Sequence, residues 1–357
     1  MSKEQLQDDY SSNISNDEMV QLAKQQYEQK QVTDYKFPTE IIELPSKGLI
    51  YPKDSALSSG KIEMKYMTAK EEDILTTQSY IKDGSVLDRL FQSLIISNGD
   101  GVPVKYVDLV AGDKNAIMIS ARILGYGKDY DVEIDDPTST GVKQKETIDL
   151  TQFENKEYDG SAQLELHKNE YAFTLPNSKR EITFMAMTES KERKIKHQIE
   201  EAKKAGRKMR DLTSKDLTIR LKNMIVSVDG DYDVKSINHF VDNELFAVDS
   251  KALRGYINTV VPDIDLTYEF ISEETGERRE MLLPMDVGFF GLSLNYRKLL
   301  HSQIFDLIYH GNGGFTFTDV YNLPIWSRKF YISKIIEFKN EEKNQHDKAM
   351  KRAKSKR

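Results

Sequence analysis

Residues Lys61–Leu75 read KIEMKYMTAKEEDIL, and this stretch places a strand directly before a helix. Apolar and polar residues alternate through KIEMKYM, which is typical of a half-buried strand. Thr68 and Glu71 have the spacing of a capping box, in which the two side chains satisfy free amides at the start of a helix. The sequence therefore predicts a strand that runs from Gly60 into a helix opening at Thr68.

Beyond this helix, the sequence predicts two further helices and a hairpin. Apolar residues recur at helical spacing over Val86–Ser97, and an Asn-Gly pair ends the pattern. A third helix fits Asp113–Leu124, where two nearby glycines stop it. Two strand patterns, Tyr130–Ile134 and Glu146–Leu150, flank a turn-forming stretch and predict a β-hairpin.

The same order of parts returns farther along the chain. Arg180–Thr188, REITFMAMT, repeats the strand and its cap. The other matches are Leu217–Leu221 with Val86–Leu90, Asp249–Leu253 with Asp113–Ile117, and Asp265–Phe270 with Asp129–Ile134. Aligned blocks with matched turn residues indicate an internal duplication.

We therefore predict an α+β fold with two tandem pseudo-repeated modules, each a strand, a helical cluster and a β-hairpin, plus a helical C-terminal segment. Within the second module, Lys191–Arg210 is charged and is predicted to be a solvated helical excursion. In the C-terminal segment, Ser293 is predicted to cap a helix. The predicted divisions are a flexible polar N-terminal arm (1–36), a first module (37–150), a linker (151–177), a second module (178–288), the helical C-terminal segment (289–340) and a charged tail (341–357).

Composition narrows the class of protein. The 357 residues are 38% apolar and 10% aromatic, which is enough for a folded core. The net charge of -7 argues against a general nucleic-acid surface, although Lys348–Arg357 forms a basic tail. The absence of cysteine excludes disulfides and thiolate sites. Without a signal peptide or an 18-residue apolar run, we expect a soluble intracellular protein with no membrane partner.

The sequence contains stretches that partly match phosphate-binding and metal-binding motifs, but none has the complete set of residues at the required positions. Ser46-Lys47-Gly48 lacks the arrangement of a P-loop. Asp229, Asp231 and Asp233 alternate as at the start of a calcium loop, but the glycine and the final glutamate of that loop are missing. No two of the six histidines have the i, i+4 spacing of a helical zinc pair. We therefore predict no metal site and no cofactor.

Enzymatic chemistry has no clear signature either. The sequence has no G-x-S-x-G turn to present a nucleophile. The paired acids Glu71 and Glu72 lie on the predicted first turn of a helix, where the helix dipole favours negative charge. We predict a non-enzymatic protein with no catalytic residues and no small-molecule substrate.

The lead-in segment Glu43–Pro52, ELPSKGLIYP, precedes the first strand and is rich in turn formers. Pro45 and Pro52 restrict the backbone and bias the residues before them, Leu44 and Tyr51, toward extended conformations. Ser46-Lys47-Gly48 between them predicts a turn. This segment is interpreted as a rigid lead-in to the first module.

Several segments, in this order, resemble the baseplate-hub assembly proteins of T-even-like contractile-tailed bacteriophages. The segments are ELPSKGLIYP, SGKIEMKYMTAKEEDIL, DGSVLDRL, GDKNAIMISARILGYGKDYDVEI, ITFMAMT, DSKALRGYI, PDIDL and Gly288-Phe289-Phe290, and together they span roughly residues 37–335. The resemblance implies a chain that helps to build the central hub of the tail baseplate, as an assembly chaperone or a minor component, and it brings no catalytic residues with it.

The chain departs from this family at two places. Some relatives have a Cys-Pro-x-Cys knuckle where this chain has Asp136-Pro137-Thr138-Ser139, so a metal role is not expected there. In others Trp-Pro follows the aromatic pair, where this chain has Gly291-Leu292. Contacts made by that loop are therefore expected to differ.

The functional prediction is assembly of the baseplate hub through protein–protein contacts. Expected partners are hub, tape-measure or other tail proteins, in the cytoplasm of the infected bacterium or in the virion baseplate. The alternatives are a tail-associated cell-wall hydrolase and a nucleic-acid-binding factor that uses the basic C-terminal tail. The candidate partner-binding residues are Leu44, Pro45, Tyr51, Pro52, Phe289, Phe290, Trp326, Arg328 and Phe330.

Overall fold

A three-stranded antiparallel sheet is built around the strand in Lys61–Leu75. The computed structural model describes residues 38–139, 141–209, 216–285, 287–292 and 296–355. Strands β1 (Thr39–Glu43), β2 (Lys61–Lys65) and β3 (Ile95–Ser97) pair in that order. Ile62 and Met64 on β2 are buried, so the predicted alternation directs the apolar residues into the core.

The predicted capping box is confirmed at the start of α1 (Ala69–Thr76). The Thr68 amide donates to Glu71 Oε2 at 2.9 Å, and the Lys70 amide donates to Thr68 Oγ1 at 3.3 Å. Helices α2 (Gln78–Lys82) and α3 (Val86–Leu94) follow.

The helix predicted over Val86–Ser97 was too long. It ends at Leu94, and the next three residues form β3, where Ile95 pairs with Met64. Two consecutive β-branched residues favour the extended chain once a neighbouring strand is available.

The predicted third helix and hairpin are confirmed. Helix α4 spans Ala111–Tyr126 and ends at Gly127, which has a positive φ of 91°. Strands β4 (Asp129–Asp135) and β5 (Lys143–Asp149) form the two-stranded antiparallel hairpin.

The second module contains the same kinds of elements. Its strands β6 (Tyr171–Thr174), β7 (Glu181–Phe184) and β8 (Ile225–Val228) form an antiparallel sheet in that order. The helices are α5 (Glu189–Met209), α6 (Asp216–Met224), α7 (Val234–Asn243) and α8 (Ala247–Val260), followed by the hairpin β9 (Thr267–Ile271) and β10 (Arg278–Leu282).

The two modules have the same strand order in their sheets, and each module ends in its own hairpin. The duplication itself stays a prediction. Two boundaries change. The predicted linker, 151–177, contains β6, which pairs with β7 and so belongs to the second sheet. The helix at Leu217–Leu221, which was matched with Val86–Leu90, ends at Met224 and gives way to β8. In α5, the predicted excursion, Ile195 and Ile199 are buried, so one face of the helix packs on the protein.

The modules contact each other through main-chain groups. The Ala111 amide donates to the Met187 carbonyl at 3.2 Å, and the Glu189 amide donates to the Leu109 carbonyl at 2.9 Å. At Gly112, a Cβ would come within 2.0 Å of the Pro262 carbonyl oxygen. Any side chain at position 112 would therefore push α4 away from the second module.

The C-terminal segment is helical, as predicted, and the fold class is α+β. Its helices are α9 (Tyr296–His310), α10 (Phe317–Asn322) and α11 (Ile325–Ser355). Ser293, the predicted cap, and the arm 1–36 lie outside the described residues. Helix α11 has 31 residues and no break at 340, so the predicted tail from 341 continues the helix through Ser355.

Candidate interaction surface

The lead-in segment forms the turn that the sequence predicts, with Lys47 and Gly48 at φ angles of 50° and 77°. A Cβ at Gly48 would lie 2.3 Å from the Ser58 carbonyl oxygen, so only glycine fits there. Leu44, Pro45 and Tyr51 are buried, and Pro52 is exposed. The first three are therefore corrected from partner-binding candidates to buried residues, because a side chain without access to solvent cannot contact a partner.

Asp113 holds the lead-in segment against α4. Its carboxylate accepts hydrogen bonds from the Tyr51 hydroxyl at 2.5 Å, the Ser46 hydroxyl at 2.7 Å and the Ser46 amide at 3.0 Å. In the second module, Asp249 accepts from the Asn177 and Ser178 amides at 2.7 and 3.0 Å. Burial raises the pKa of Asp113 to about 6, although these donors oppose the shift.

We expect Asp113→Asn to gain stability relative to the wild type as the pH rises from 4.5 to 7.5. Because the folded-state pKa is about 6, above the model-peptide value, the fold binds this proton more tightly than the unfolded chain. The stabilising contribution is present at low pH and is lost above pH 6. The expected change in the free-energy difference is on the order of 1–3 kcal/mol. Urea titrations at several pH values measure it.

Asp149→Asn is the matched control for this titration. The Lys128 ammonium donates to Asp149 at 2.6 Å and lowers the pKa of that carboxyl to about 2. The effect of Asp149→Asn should stay constant between pH 7.5 and 4.5, because the carboxyl remains charged throughout. A flat difference for Asp113→Asn as well would contradict the role given to Asp113.

An open cleft of about 580 Å³ lies beside the lead-in segment. Tyr51 and Pro52 line one side, while Pro103 and Lys105 line another, and Asn169 reaches it from the second module. The Asn169 side chain is already engaged, since it donates to the Ala186 carbonyl and accepts from the Ala186 amide, both at 2.8 Å. The cleft thus places the exposed Pro52 at an opening between the modules.

Phe289 and Phe290 are corrected from surface to core. Both side chains are essentially inaccessible, and the Phe289 ring packs edge-on against Tyr130 with centroids 5.0 Å apart. Arg122 Nε donates to the Phe289 carbonyl at 3.2 Å. The pair therefore closes the core of the first module where the chain returns from the second hairpin.

Arg328 is fully buried, so it too is corrected from a partner-binding candidate to an internal residue. Its guanidinium forms an ion pair with Glu72 on α1 and donates to Gln303 on α9 at 3.3 Å. The hydroxyls of Tyr296 and Tyr126 also donate to Glu72, at 2.6 and 3.2 Å. This cluster joins α11 and α9 to the first module.

The two tyrosines in this cluster stay protonated. Burial first, and the Glu72 carboxylate second, raise the pKa of both Tyr126 and Tyr296. Both hydroxyls therefore remain hydrogen-bond donors to Glu72, and with Arg328 they satisfy a carboxylate that has no access to water.

Trp326 and Phe330, the remaining predicted residues, are exposed at 57% and 50%. They belong to a larger set of exposed apolar side chains on the C-terminal segment, here called the aromatic surface. Its members, each at least half exposed, are Leu299, Phe305, Tyr309, Phe317, Trp326, Phe330, Ile336 and Phe338.

Helix α9 explains why the aromatic surface is large. Leu300, Ile304 and Leu307 are buried on its inner side. Phe305 and Tyr309 stack on each other at 5.5 Å and are exposed. A helix that is apolar on opposite sides is usually buried on both of them. The aromatic residues of α9 beyond its inner side were the signal in the sequence for this second apolar side.

A groove of about 280 Å³ lies between α9 and α11. Leu307, Ile332 and Ile335 contribute its apolar lining. Ile336 and Lys339 line it as well and are exposed. The groove therefore combines an apolar floor with accessible residues on the same face of α11.

Searches for other chemistry and for relatives were negative. Within the described ranges, no three or more His, Asp and Glu side chains are grouped so that they could hold a metal ion. No helix in that part of the chain is long and apolar enough to cross a bilayer. Comparison with protein families, curated proteins and solved structures gave no match to this chain.

Proposed function

We propose that this protein is a bacteriophage tail protein that acts in assembly of the baseplate hub through protein–protein contacts, without catalysing a reaction. The resemblance of the ordered segments to baseplate-hub assembly proteins supports the baseplate hub as the assembly in which the chain acts. The aromatic surface supports the mode of action. Its partners would be hub, tape-measure or other tail proteins.

The extent of the aromatic surface is the observation that carries this proposal. Eight large apolar side chains between Leu299 and Phe338 are at least half exposed. They present roughly 900 Å² of accessible area if each full side chain carries about 200 Å². A standard protein interface buries about 800 Å² on each partner, so the exposed apolar side chains of α9, α10 and α11 together provide an area of the size that one partner contributes.

The buried Glu72–Arg328 pair also supports the proposal, because it holds the C-terminal segment in a fixed orientation. It fixes α11 to α1 through a charge pair without solvent access. A surface held in one orientation loses little conformational entropy on binding. The C-terminal segment is thus suited to present Trp326 and Phe330 to a partner.

We expect the double substitution Trp326→Ser and Phe330→Ser to reduce recovery of tail proteins with the tagged chain by at least about ten-fold, since exposed tryptophans at interfaces are frequent hot spots. The free energy of unfolding should change by less than about 1 kcal/mol. The experiment replaces the native chain in infected cells with a tagged one at native levels, and mass spectrometry identifies the copurified proteins.

Phe246→Ser is the matched control, because Phe246 is 55% exposed but lies on the second module, outside the aromatic surface. It should leave copurification unchanged. If the wild-type chain recovers no tail protein, the proposed function is wrong. If the double variant recovers tail proteins as well as the wild type does, the contact lies elsewhere on the chain.

A further inference from the structure

The second half of helix α11 is exposed on every side that the structure describes. The whole helix has 31 residues and is about 46 Å long. From Ile336 to Met350, each side chain that the structure describes is exposed. Helices in proteins gain most of their stability from packing, and a single helix of this length is marginal in water. This part of α11 is therefore suited to pack against another helix.

One side of this helix carries an exposed phenylalanine between residues of opposite charge. Phe338 is 66% exposed, with Lys334 four residues before it and Glu342 four residues after it. Residues four and seven apart lie on one side of a helix. The side centred on Phe338, here called the Phe338 stripe, consists of five exposed residues, Tyr331, Lys334, Phe338, Glu342 and Gln345.

The Phe338 stripe is separate from Trp326 and Phe330, the residues given to the tail partner. At about 100° per residue, Phe330 lies about 80° and Trp326 about 120° around the helix axis from Phe338. A contact on the Phe338 stripe therefore leaves both of these residues accessible.

The charges along residues 331–345 complement themselves when two copies run antiparallel. This stretch, YISKIIEFKNEEKNQ, contains three Lys and three Glu and has no net charge. With Phe338 opposite Phe338, Lys334 of each copy lies level with Glu342 of the other. Glu337 lies level with Lys339 in the same way. The two other charged residues lie level with neutral ones, Glu341 with Ile335 and Lys343 with Ser333.

A parallel arrangement would bring like charges together. Each of the six charged residues in 331–345 would lie beside its own copy. The basic stretch 343–357, with a formal charge of +6, would also lie beside its copy. In the antiparallel arrangement the two ends at Ser355 are about 50 Å apart. Charge therefore favours the antiparallel orientation.

We propose that α11 pairs with α11 of a second copy of this chain, antiparallel and centred on Phe338. The contact is isologous, because both copies use the same stripe around a two-fold axis. One helix side of about 15 residues buries on the order of 500 Å² per copy, less than the roughly 800 Å² of a standard interface, so a reversible dimer with a Kd of about 1–100 µM is expected. The inference does not depend on the proposed function.

Sedimentation equilibrium of the purified full chain at about 1–200 µM tests this pairing. We expect the wild type to dimerise and Phe338→Asp to raise the Kd at least about ten-fold, since it places two carboxylates at the centre of the contact. Phe330→Ser is the matched control, because it removes a half-exposed phenylalanine from another side of α11. It should leave the Kd within about two-fold of the wild type. Circular dichroism confirms that each variant is folded.

A charge swap tests the orientation. Lys334→Glu and Glu342→Lys should each raise the Kd about five-fold or more, because each places like charges opposite one another. The two substitutions together should return the Kd to within about two-fold of the wild type. Lys343→Glu makes the same charge change outside the stripe and should have little effect.

The recovery in the double variant cannot come from within one helix. Lys334 pairs with Glu337 at 2.7 Å, and Glu342 pairs with Lys339 at 3.3 Å. The double variant breaks both of these pairs. Restored dimerisation therefore requires the contact between residues 334 and 342 of different copies.

Three results overturn the proposal: a wild-type chain that stays monomeric at about 200 µM, a dimer that Phe338→Asp does not weaken, or a double charge reversal that does not recover the Kd. A monomeric chain whose recovery of tail proteins falls with Phe338→Asp would assign the stripe to another protein and would overturn it as well. A monomer leaves the proposed function standing, and a failure to copurify tail proteins leaves the dimer standing, so the two proposals fail separately.

Discussion

Arg328→Ala is expected to lower the free energy of unfolding by about 3–5 kcal/mol, because removing one partner of a buried ion pair leaves the other charge uncompensated. Both Arg328 and Glu72 have no solvent-accessible side-chain area. After the substitution, Glu72 would keep only the hydroxyl donors of Tyr126 and Tyr296. Chemical denaturation of the full chain measures the loss.

A second variant separates charge from packing. Glu72→Gln combined with Arg328→Met removes both charges and keeps an amide oxygen that can accept from the two tyrosines. It should recover at least about half of the lost stability, since neutral replacement of a buried pair is often tolerated.

The matched control is Lys334→Ala, which removes an exposed pair on the same helix. Lys334 Nζ lies 2.7 Å from Glu337, and both side chains are about half exposed. Its effect should stay below about 1 kcal/mol. A loss of similar size for Arg328→Ala would show that the buried pair does not anchor α11.

Phe289→Ala is expected to destabilise the protein by about 3–5 kcal/mol, the usual range for truncating a buried phenylalanine. The ring contacts Tyr130 and Phe290, with centroids at 5.0 and 5.7 Å, and is inaccessible to solvent. The cavity left behind would border the core of the first module. Denaturation midpoints of the purified chain provide the measurement.

Phe330→Ala serves as its control, because Phe330 is half exposed on α11. Its effect on stability should be below about 1 kcal/mol. Phe289→Leu should recover part of the loss by refilling the cavity. If Phe289→Ala left stability unchanged while weakening partner association, the residue would belong to an interface after all.

Local signals were sufficient for part of this fold. The capping box at Thr68 and Glu71, the helix stop near Gly127 and the hairpin at Asp129–Asp149 were all predicted and all form. Each depends on groups within a few residues of one another. Such features can be predicted because the interacting atoms are neighbours in the chain.

The third strand of the sheet in each module was not predicted. Ile95–Ser97 and Ile225–Val228 continue the apolar pattern of the helices before them. Their extended conformation depends on pairing with β2 and β7, which lie more than thirty residues earlier in the sequence. A short apolar run does not by itself distinguish a helix end from a strand.

For the candidate interaction residues, too, local features were predictable and contacts between distant residues were not. The sequence placed candidate contacts in the lead-in segment, in the Phe289-Phe290 pair and on the helical C-terminal segment. Of these candidates, Pro52, Trp326 and Phe330 are exposed. The burial of Arg328 was not predictable, because Glu72 lies 256 residues away. Phe289 and Phe290 also looked like exposed aromatic residues until packing on Tyr130 was known.

By itself, then, the sequence determined the α+β class, the capping box at Thr68, the hairpins and the basic, aromatic character of the C-terminal segment, since these follow from local spacing and composition. Only the tertiary structure decided which aromatic and charged residues face solvent. Burial is set by contacts between distant parts of the chain, as between Glu72 and Arg328. The same contacts leave Trp326, Phe330 and the α9–α11 groove accessible.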